Sequence, residues 1–90
     1  MNEIQKLIEE NKLDDALEML NSFQKKNPGK LSVEYYLLRA RISCKQHQWG
    51  DAINQYSEVL EFEPDNSEAK SGIQMAQGIL GFFHTDMFNP

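Results

Sequence analysis

The sequence predicts an all-α protein of five short antiparallel helices, and three observations support this fold class. Apolar residues recur at steps of three and four along most of the chain, which is the spacing of one face of an α-helix. Proline, glycine and polar clusters interrupt this pattern at intervals that suit helix–turn–helix units. The pattern also repeats after 36 residues. Ninety residues suffice for one domain with a modest core.

The first two predicted helices form an N-terminal hairpin. The first helix covers residues 2–11, and its apolar side carries Ile4, Leu7 and Ile8. The second covers residues 13–26, and its apolar stripe consists of Leu13, Ala16, Leu17, Leu20 and Phe23. Asn-Pro-Gly at residues 27–29 stops the second helix, because proline cannot continue a helix.

The next two predicted helices form a second hairpin. Residues 31–46 carry an apolar stripe that includes Val33, Tyr36, Leu37, Ala40 and Cys44. Residues 49–62 carry a second stripe of Trp49, Ala52, Ile53, Tyr56, Val59 and Leu60. The polar segment between them includes Gly50 and suits a tight reversal, and Pro64 ends the second helix.

The two hairpins are copies of each other in sequence. A shift of 36 residues places Ala16 on Ala52, Leu20 on Tyr56 and Pro28 on Pro64, without a gap. We expect both turns that follow the two prolines to share this spacing.

The same shift continues into a fifth predicted helix at residues 67–83. It pairs Val33, Leu37 and Ala40 with Ala69, Ile73 and Ala76. Asp65 and Glu68 have the spacing of a capping box, which predicts how the helix begins. A helix without a partner hairpin helix is expected to cap the core, although a second apolar stripe of Met75, Ile79 and Phe82 is unusual for a cap.

The tail, residues 84–90, contains Met87 and Phe88 and is too apolar for a solvated terminus. We expect it to fold back on the helices or to dock on a second copy of the chain.

One set of spacings is specific. Tyr36, Ala40, Ala52, Tyr56 and Pro64 follow one another at intervals of 4, 12, 4 and 8 residues. This resembles the tetratricopeptide repeat (TPR), a helix–turn–helix unit of about 34 residues, in a short bacterial-type protein. Arg39 and Ser43 depart from the pattern, because the family has apolar residues there.

The resemblance implies a short right-handed solenoid of TPR-like helical hairpins in a single domain, 1–90. It would comprise a partial first repeat (1–28), a full repeat (33–66), a capping helix (67–83) and the tail (84–90). The residues that the resemblance assigns to repeat packing are Tyr36, Ala40, Ala52, Tyr56, Pro64, Ala16, Leu20 and Pro28.

Composition limits the function classes. The net charge is −5, which argues against binding nucleic acid or anionic membrane surfaces. No apolar run approaches the roughly 20 residues of a membrane span, and the N-terminus lacks an apolar signal core. The single Cys44 fits a reducing compartment, so we expect a cytoplasmic protein.

Candidate chemistry is sparse. Cys44 and His47 have a spacing found in metal sites, but two ligands do not close a zinc site, so we expect an edge-of-core thiol and a turn imidazole. No nucleophile, phosphate-binding or acid–base motif is present. We therefore expect no enzyme activity, no metal and no cofactor.

The resemblance implies protein binding through the concave face that the first helix of each hairpin lines. Our candidate protein-binding face is Leu38, Arg41, Lys45, Gln74 and Gln77. For Leu38, packing between helices is an equally good interpretation. The alternative function is self-association, with a homodimer joined through the last helix and the tail.

Overall fold

The computed structural model describes residues 2–29 and 31–83, with side chains up to Gly81. This part of the chain contains five α-helices: α1 Asn2–Glu9, α2 Leu13–Lys26, α3 Val33–Lys45, α4 Trp49–Phe62 and α5 Ser67–Phe83. The all-α prediction is confirmed, and no strand occurs among these residues. Three helices have the predicted bounds, whereas α1 and α3 are each shorter than expected.

Left-handed residues explain where α1 and α3 end. Asn11 and His47 have φ angles of 60° and 59°, and each lies two residues beyond the last helical residue. The next amide reaches back into the helix at both sites, from Lys12 to the Leu7 carbonyl and from Gln48 to the Ser43 carbonyl, at 2.8 Å each. This bonding closes a helix end with a Schellman motif. The two motifs are 36 residues apart, so the first two hairpins share the repeat in backbone geometry as well as in sequence.

Asparagine and serine side chains set where α5 and α3 begin. The Oδ1 atom of Asn66 accepts a hydrogen bond from the Ala69 amide at 2.9 Å, and Ser32 Oγ accepts one from the Tyr35 amide at 3.4 Å. Both are N-cap interactions. The predicted capping box was wrong, because Asn66 caps α5 and Glu68 turns to another helix.

Two hydrophobic clusters share α3. One cluster lies between α1, α2 and α3, and its largest fully buried side chains are Ile8, Leu20, Leu38 and Ile42. The other lies between α3, α4 and α5, and its buried members are Ala40, Ala52, Tyr56, Val59 and Ala69. Tyr36 packs against both clusters. The helix α3 is therefore the central element of the fold.

The eight predicted packing positions divide into two groups. Six lie in the clusters: Ala16, Leu20, Ala40 and Ala52 are fully buried, Tyr56 is buried and Tyr36 is half-buried. Pro28 and Pro64 are exposed and lie just after the ends of α2 and α4. The prolines thus end helices without contributing buried surface.

The helix α5 packs along α4 through small residues. Ala69 and Ala76 are fully buried, and Gly72 lies against the Tyr56 ring so closely that an added Cβ would fall 2.3 Å from the ring Cε2 atom. The side chains at these spacings in α3, which face α1 and α2, are Tyr35, Leu38 and Ile42. The correspondence between α3 and α5 is therefore a shift of 34 residues, and the predicted shift of 36 was wrong for α5.

Loop length accounts for this change of register. Six residues (27–32) connect α2 to α3, whereas four (63–66) connect α4 to α5. The two extra residues lie in the first loop alone.

Polar pairs replace the apolar side chains that were expected at residues 39 and 43. Arg39 Nη1 donates to Asn21 Oδ1 at 3.1 Å and lies over the Tyr35 ring. The buried Ser43 donates from Oγ to Gln55 Oε1 at 2.7 Å. Each pair joins two helices, so these departures are compensated by contacts.

The tail expectation concerns residues 84–90, which lie outside the described residues. Among the described helices, none combines the length and the apolar character that crossing a membrane requires.

Candidate protein-binding face

Arg41 joins three helices on one face of the molecule. Its Nε and Nη2 atoms donate to the two carboxylate oxygens of Glu68 on α5, at 2.8 and 2.6 Å. Its Nη1 atom donates to Gln5 Oε1 on α1 at 2.9 Å. The bidentate geometry fixes the direction of the guanidinium as well as its charge. Arg41 therefore holds the first helix of each hairpin and α5 in one surface.

The Glu68 carboxylate is shared with a buried phenol. Tyr56 Oη donates to Glu68 Oε2 at 3.4 Å. The hydrogen bond from Arg41 holds the pKa of Glu68 below its usual value, against the opposing effect of partial burial. Burial raises the pKa of Tyr56 and that of the neighbouring Cys44 thiol. The face thus presents a neutral phenol, a neutral thiol and a closed ion pair at neutral pH.

We call α1, α3 and α5 the A helices, and we define the A-helix face by its polar centre and the residues around it. These residues are Gln5, Glu34, Arg41, Lys45, Glu68 and Met75. On α3 and on α5, the members are separated by four or seven residues, which places them on one side of a helix. Glu34 and Lys45 are exposed, and Met75 is 48% exposed.

Leu38 does not belong to this face. Its side chain is 1% exposed and lies in the cluster between α1, α2 and α3. The prediction of Leu38 as a binding residue was wrong, because α3 uses that side to pack against the first hairpin.

Gln74 and Gln77 are exposed, but they lie on another side of α5. At about 100° per residue, they are turned about 120° and 180° from Glu68, the α5 residue that contacts Arg41. In the 34-residue register they correspond to Ala40 and Ser43, which lie on the inner side of the second hairpin. Their assignment to the A-helix face was wrong, because it relied on the 36-residue shift.

Two members of the face were missed by sequence reasoning. Glu68 and Met75 lie 34 residues after Glu34 and Arg41, so a shift of 34 would have identified both. The sequence signal was the shorter loop before α5, whose end could not be placed from the sequence.

The Cys44 and His47 side chains lie apart from any larger ligand set. Cys44 is half-buried near Tyr56, and the exposed His47 stacks on Trp49 with ring centroids 5.6 Å apart. Among residues 2–29 and 31–83, no three metal-ligating side chains cluster.

Comparison with known proteins gives one informative relative. No protein-family model and no curated protein matches the chain. The chain is similar to the solution NMR structure of Bacteroides fragilis protein BF1650, with 34% sequence identity and a TM-score of 0.76. The match covers 98% of this chain and 87% of that one. Identity at this level over nearly the whole of both chains leads to one conclusion: the chain belongs to the same protein family as Bacteroides fragilis BF1650.

Proposed function

We propose that the chain is a non-catalytic, TPR-like protein-interaction module that binds a peptide or protein segment on its A-helix face. The observation that carries this proposal is the Arg41 network, which makes one continuous surface from three helices. The 34-residue register between α3 and α5 supports the resemblance, because that is the period of the TPR unit.

The chemistry of the face favours a segment with an apolar anchor over a charged terminus. Arg41 is already neutralised by Glu68, and Glu34 and Lys45 carry opposite charges, so the face has no strong field of one sign. Met75 is an exposed, flexible thioether of the kind that accommodates varied apolar partners. The segment would therefore place an apolar side chain on Met75 and polar groups near Lys45.

The experiment begins with selection of random peptides on the immobilised full chain, followed by NMR titration of each selected peptide into ¹⁵N-labelled protein. We expect saturable shifts of the Lys45, Ser71 and Met75 amides. Met75→Lys should weaken binding by about tenfold or more, because the apolar anchor loses its contact.

The matched control is Gln74→Lys, which introduces the same side chain one position earlier but on another side of α5. It should leave the affinity within about twofold, since it lies off the face. Equal losses from the two substitutions, or shifts confined to α2, would refute the A-helix face as the binding surface.

Self-association is the second candidate, and the Met75–Ile79 stripe of α5 favours it. Met75 is 48% exposed and Ile79 is half-buried, although both lie on the last described helix. Sedimentation across a wide concentration range distinguishes the two functions. A dimer that Met75→Lys converts to a monomer would support self-association, whereas a monomer at every concentration would exclude it.

A further inference from the structure

The first hairpin has an open groove where the second hairpin is filled. A cavity of about 720 Å³ lies between α1 and the C-terminal half of α2. Its apolar lining is Ile4, Met19 and Phe23, and its charged lining includes Glu3, Asp15 and Glu18. We call this cavity the α1–α2 groove. It lies apart from the A-helix face, to which α2 contributes nothing.

The second hairpin shows what such a groove accommodates. The helix α3 begins at Val33, whereas α1 begins at Asn2, which corresponds to Leu38 in the 36-residue register. The additional residues of α3 include Val33, Tyr36 and Leu37, which pack against the cluster that contains Val59. Tyr36 also stacks on Phe62, with ring centroids 6.2 Å apart. One turn or more of amphipathic helix thus covers the C-terminal half of α4.

The counterparts on α2 lack this cover. Val59 is fully buried, but its counterpart Phe23 is only half-buried, and Met19 is 36% exposed. Phe23 stacks on Tyr35 on one side, at a centroid distance of 6.2 Å, and lines the groove on the other. The groove therefore has an apolar floor of the shape that a helical turn with a large side chain covers.

Charge identifies the chemistry of the occupant. Three carboxylates, Glu3, Asp15 and Glu18, line the groove against the single ammonium of Lys26. A cationic segment is attracted to this rim, and an acidic one is repelled. We propose that the α1–α2 groove binds a basic amphipathic helical segment of a partner protein, with an apolar side chain on Met19 and Phe23 and with Lys or Arg against the acidic rim.

The test uses two synthetic helical peptides that share the apolar spacing of Val33, Tyr36 and Leu37. All remaining positions are Lys and Ala in the basic peptide, and Glu and Ala in the acidic one. Each is titrated into the ¹⁵N-labelled full chain at low salt, because exposed charges are screened as salt rises. We expect the basic peptide to shift the Met19, Ser22 and Phe23 amides saturably. The acidic peptide should bind at least about tenfold more weakly.

Charge reversal on the rim provides the matched comparison. Glu18→Lys should weaken binding of the basic peptide by about five- to tenfold. Glu61→Lys makes the same change on an exposed position of α4, outside the groove, and should leave the affinity within about twofold. Circular dichroism of both variants checks that they are folded.

Three outcomes would overturn the proposal. Equal affinity for the two peptides removes the role of the rim, and equal losses from the two substitutions remove the location. Shifts of the groove amides on raising the concentration of the protein alone would identify a second copy as the occupant. Since none of these readouts uses Met75, the result is independent of the A-helix face.

Discussion

Single glycines in α5 have opposite roles because their surroundings differ. Gly72 is buried against the Tyr56 ring, whereas nothing lies within 4 Å of a Cβ built on Gly78. Glycine in a helix interior ordinarily costs roughly 0.5–1 kcal/mol relative to alanine. Only at Gly72 does a close approach justify that cost.

We predict that Gly72→Ala destabilises the protein by about 1–3 kcal/mol, because the new methyl group must displace a buried ring. Gly78→Ala should stabilise it by roughly 0.5–1 kcal/mol. Thermal unfolding measures both, since 1 kcal/mol shifts the Tm of a domain of this size by about 4–8 °C. Stabilisation by both substitutions would contradict the close packing of α5 on α4.

The Arg41–Glu68 pair predicts a dependence of stability on pH. The folded-state pKa of Glu68 is lowered by the hydrogen bond from Arg41, so the pair stabilises the fold above the unfolded-state pKa of about 4.3. This contribution is lost as the pH falls through the lower folded-state pKa. The carboxylate side chain is 36% exposed, which limits the contribution to about 1 kcal/mol or less.

We predict that Glu68→Gln lowers the free energy of unfolding at pH 7 by roughly 0.5–1 kcal/mol and that this difference shrinks toward zero below about pH 4. Urea unfolding at several pH values measures it. Glu61→Gln, on an exposed part of α4, serves as the control and should show little difference at any pH. A Glu68→Gln effect that persists unchanged at pH 3 would mean that packing, and not charge, is responsible.

Helix ends are the features of each element that local sequence chemistry decides. Asn11 and His47 adopt left-handed conformations and end α1 and α3 without glycine. Asparagine tolerates this region of φ, and histidine enters it more often than most residues. Such positions are weak signals in a sequence, so the predicted ends of α1 and α3 were one or two residues too late.

The start of α5 gives a test at the level of one helix. Asn66→Ala should cost about 1 kcal/mol, because the Ala69 amide loses its side-chain acceptor. Asp65→Ala should cost less than about 0.5 kcal/mol, since exposed ion pairs such as Asp65–Lys70 contribute little. Equilibrium unfolding distinguishes them. A larger loss for Asp65→Ala would favour the capping box that the sequence suggested.

At the scale of the whole molecule, α3 couples the two hydrophobic clusters. Leu38 lies in the cluster with α1 and α2, whereas Ala40 lies in the cluster with α4 and α5. Successive residues of one helix thus belong to different parts of the core. The two parts are expected to unfold together, because neither can lose α3 without exposing its own apolar surface.

We predict that Leu38→Ala destabilises the whole protein by about 2–5 kcal/mol. The fluorescence of Trp49, at the start of α4, should report the same lowered midpoint as circular dichroism, although Leu38 belongs to the other cluster. A Trp49 transition that stays at the wild-type midpoint would show that the two hairpins unfold independently. It would also remove the central role of α3.

The sequence by itself determined the helices and the residues that cover one another inside each hairpin. Apolar spacing and the stop signals at Pro28 and Pro64 act over a few residues, so five helices and the 36-residue copy of the first hairpin could be read directly. The burial of Ala16, Leu20, Ala40 and Ala52 followed from the same local pattern.

The tertiary structure decided the side of α5 that meets α4, and with it the composition of the candidate face. Loop residues 63–66 are two fewer than their counterparts, and this small difference turns α5 by more than half a turn relative to the expected register. Gln74 and Gln77 leave the face, and Glu68 and Met75 enter it. The physical reason is that a helix has a periodic surface, so its side chains reveal a stripe, but only packing against other helices selects which neighbour the stripe meets.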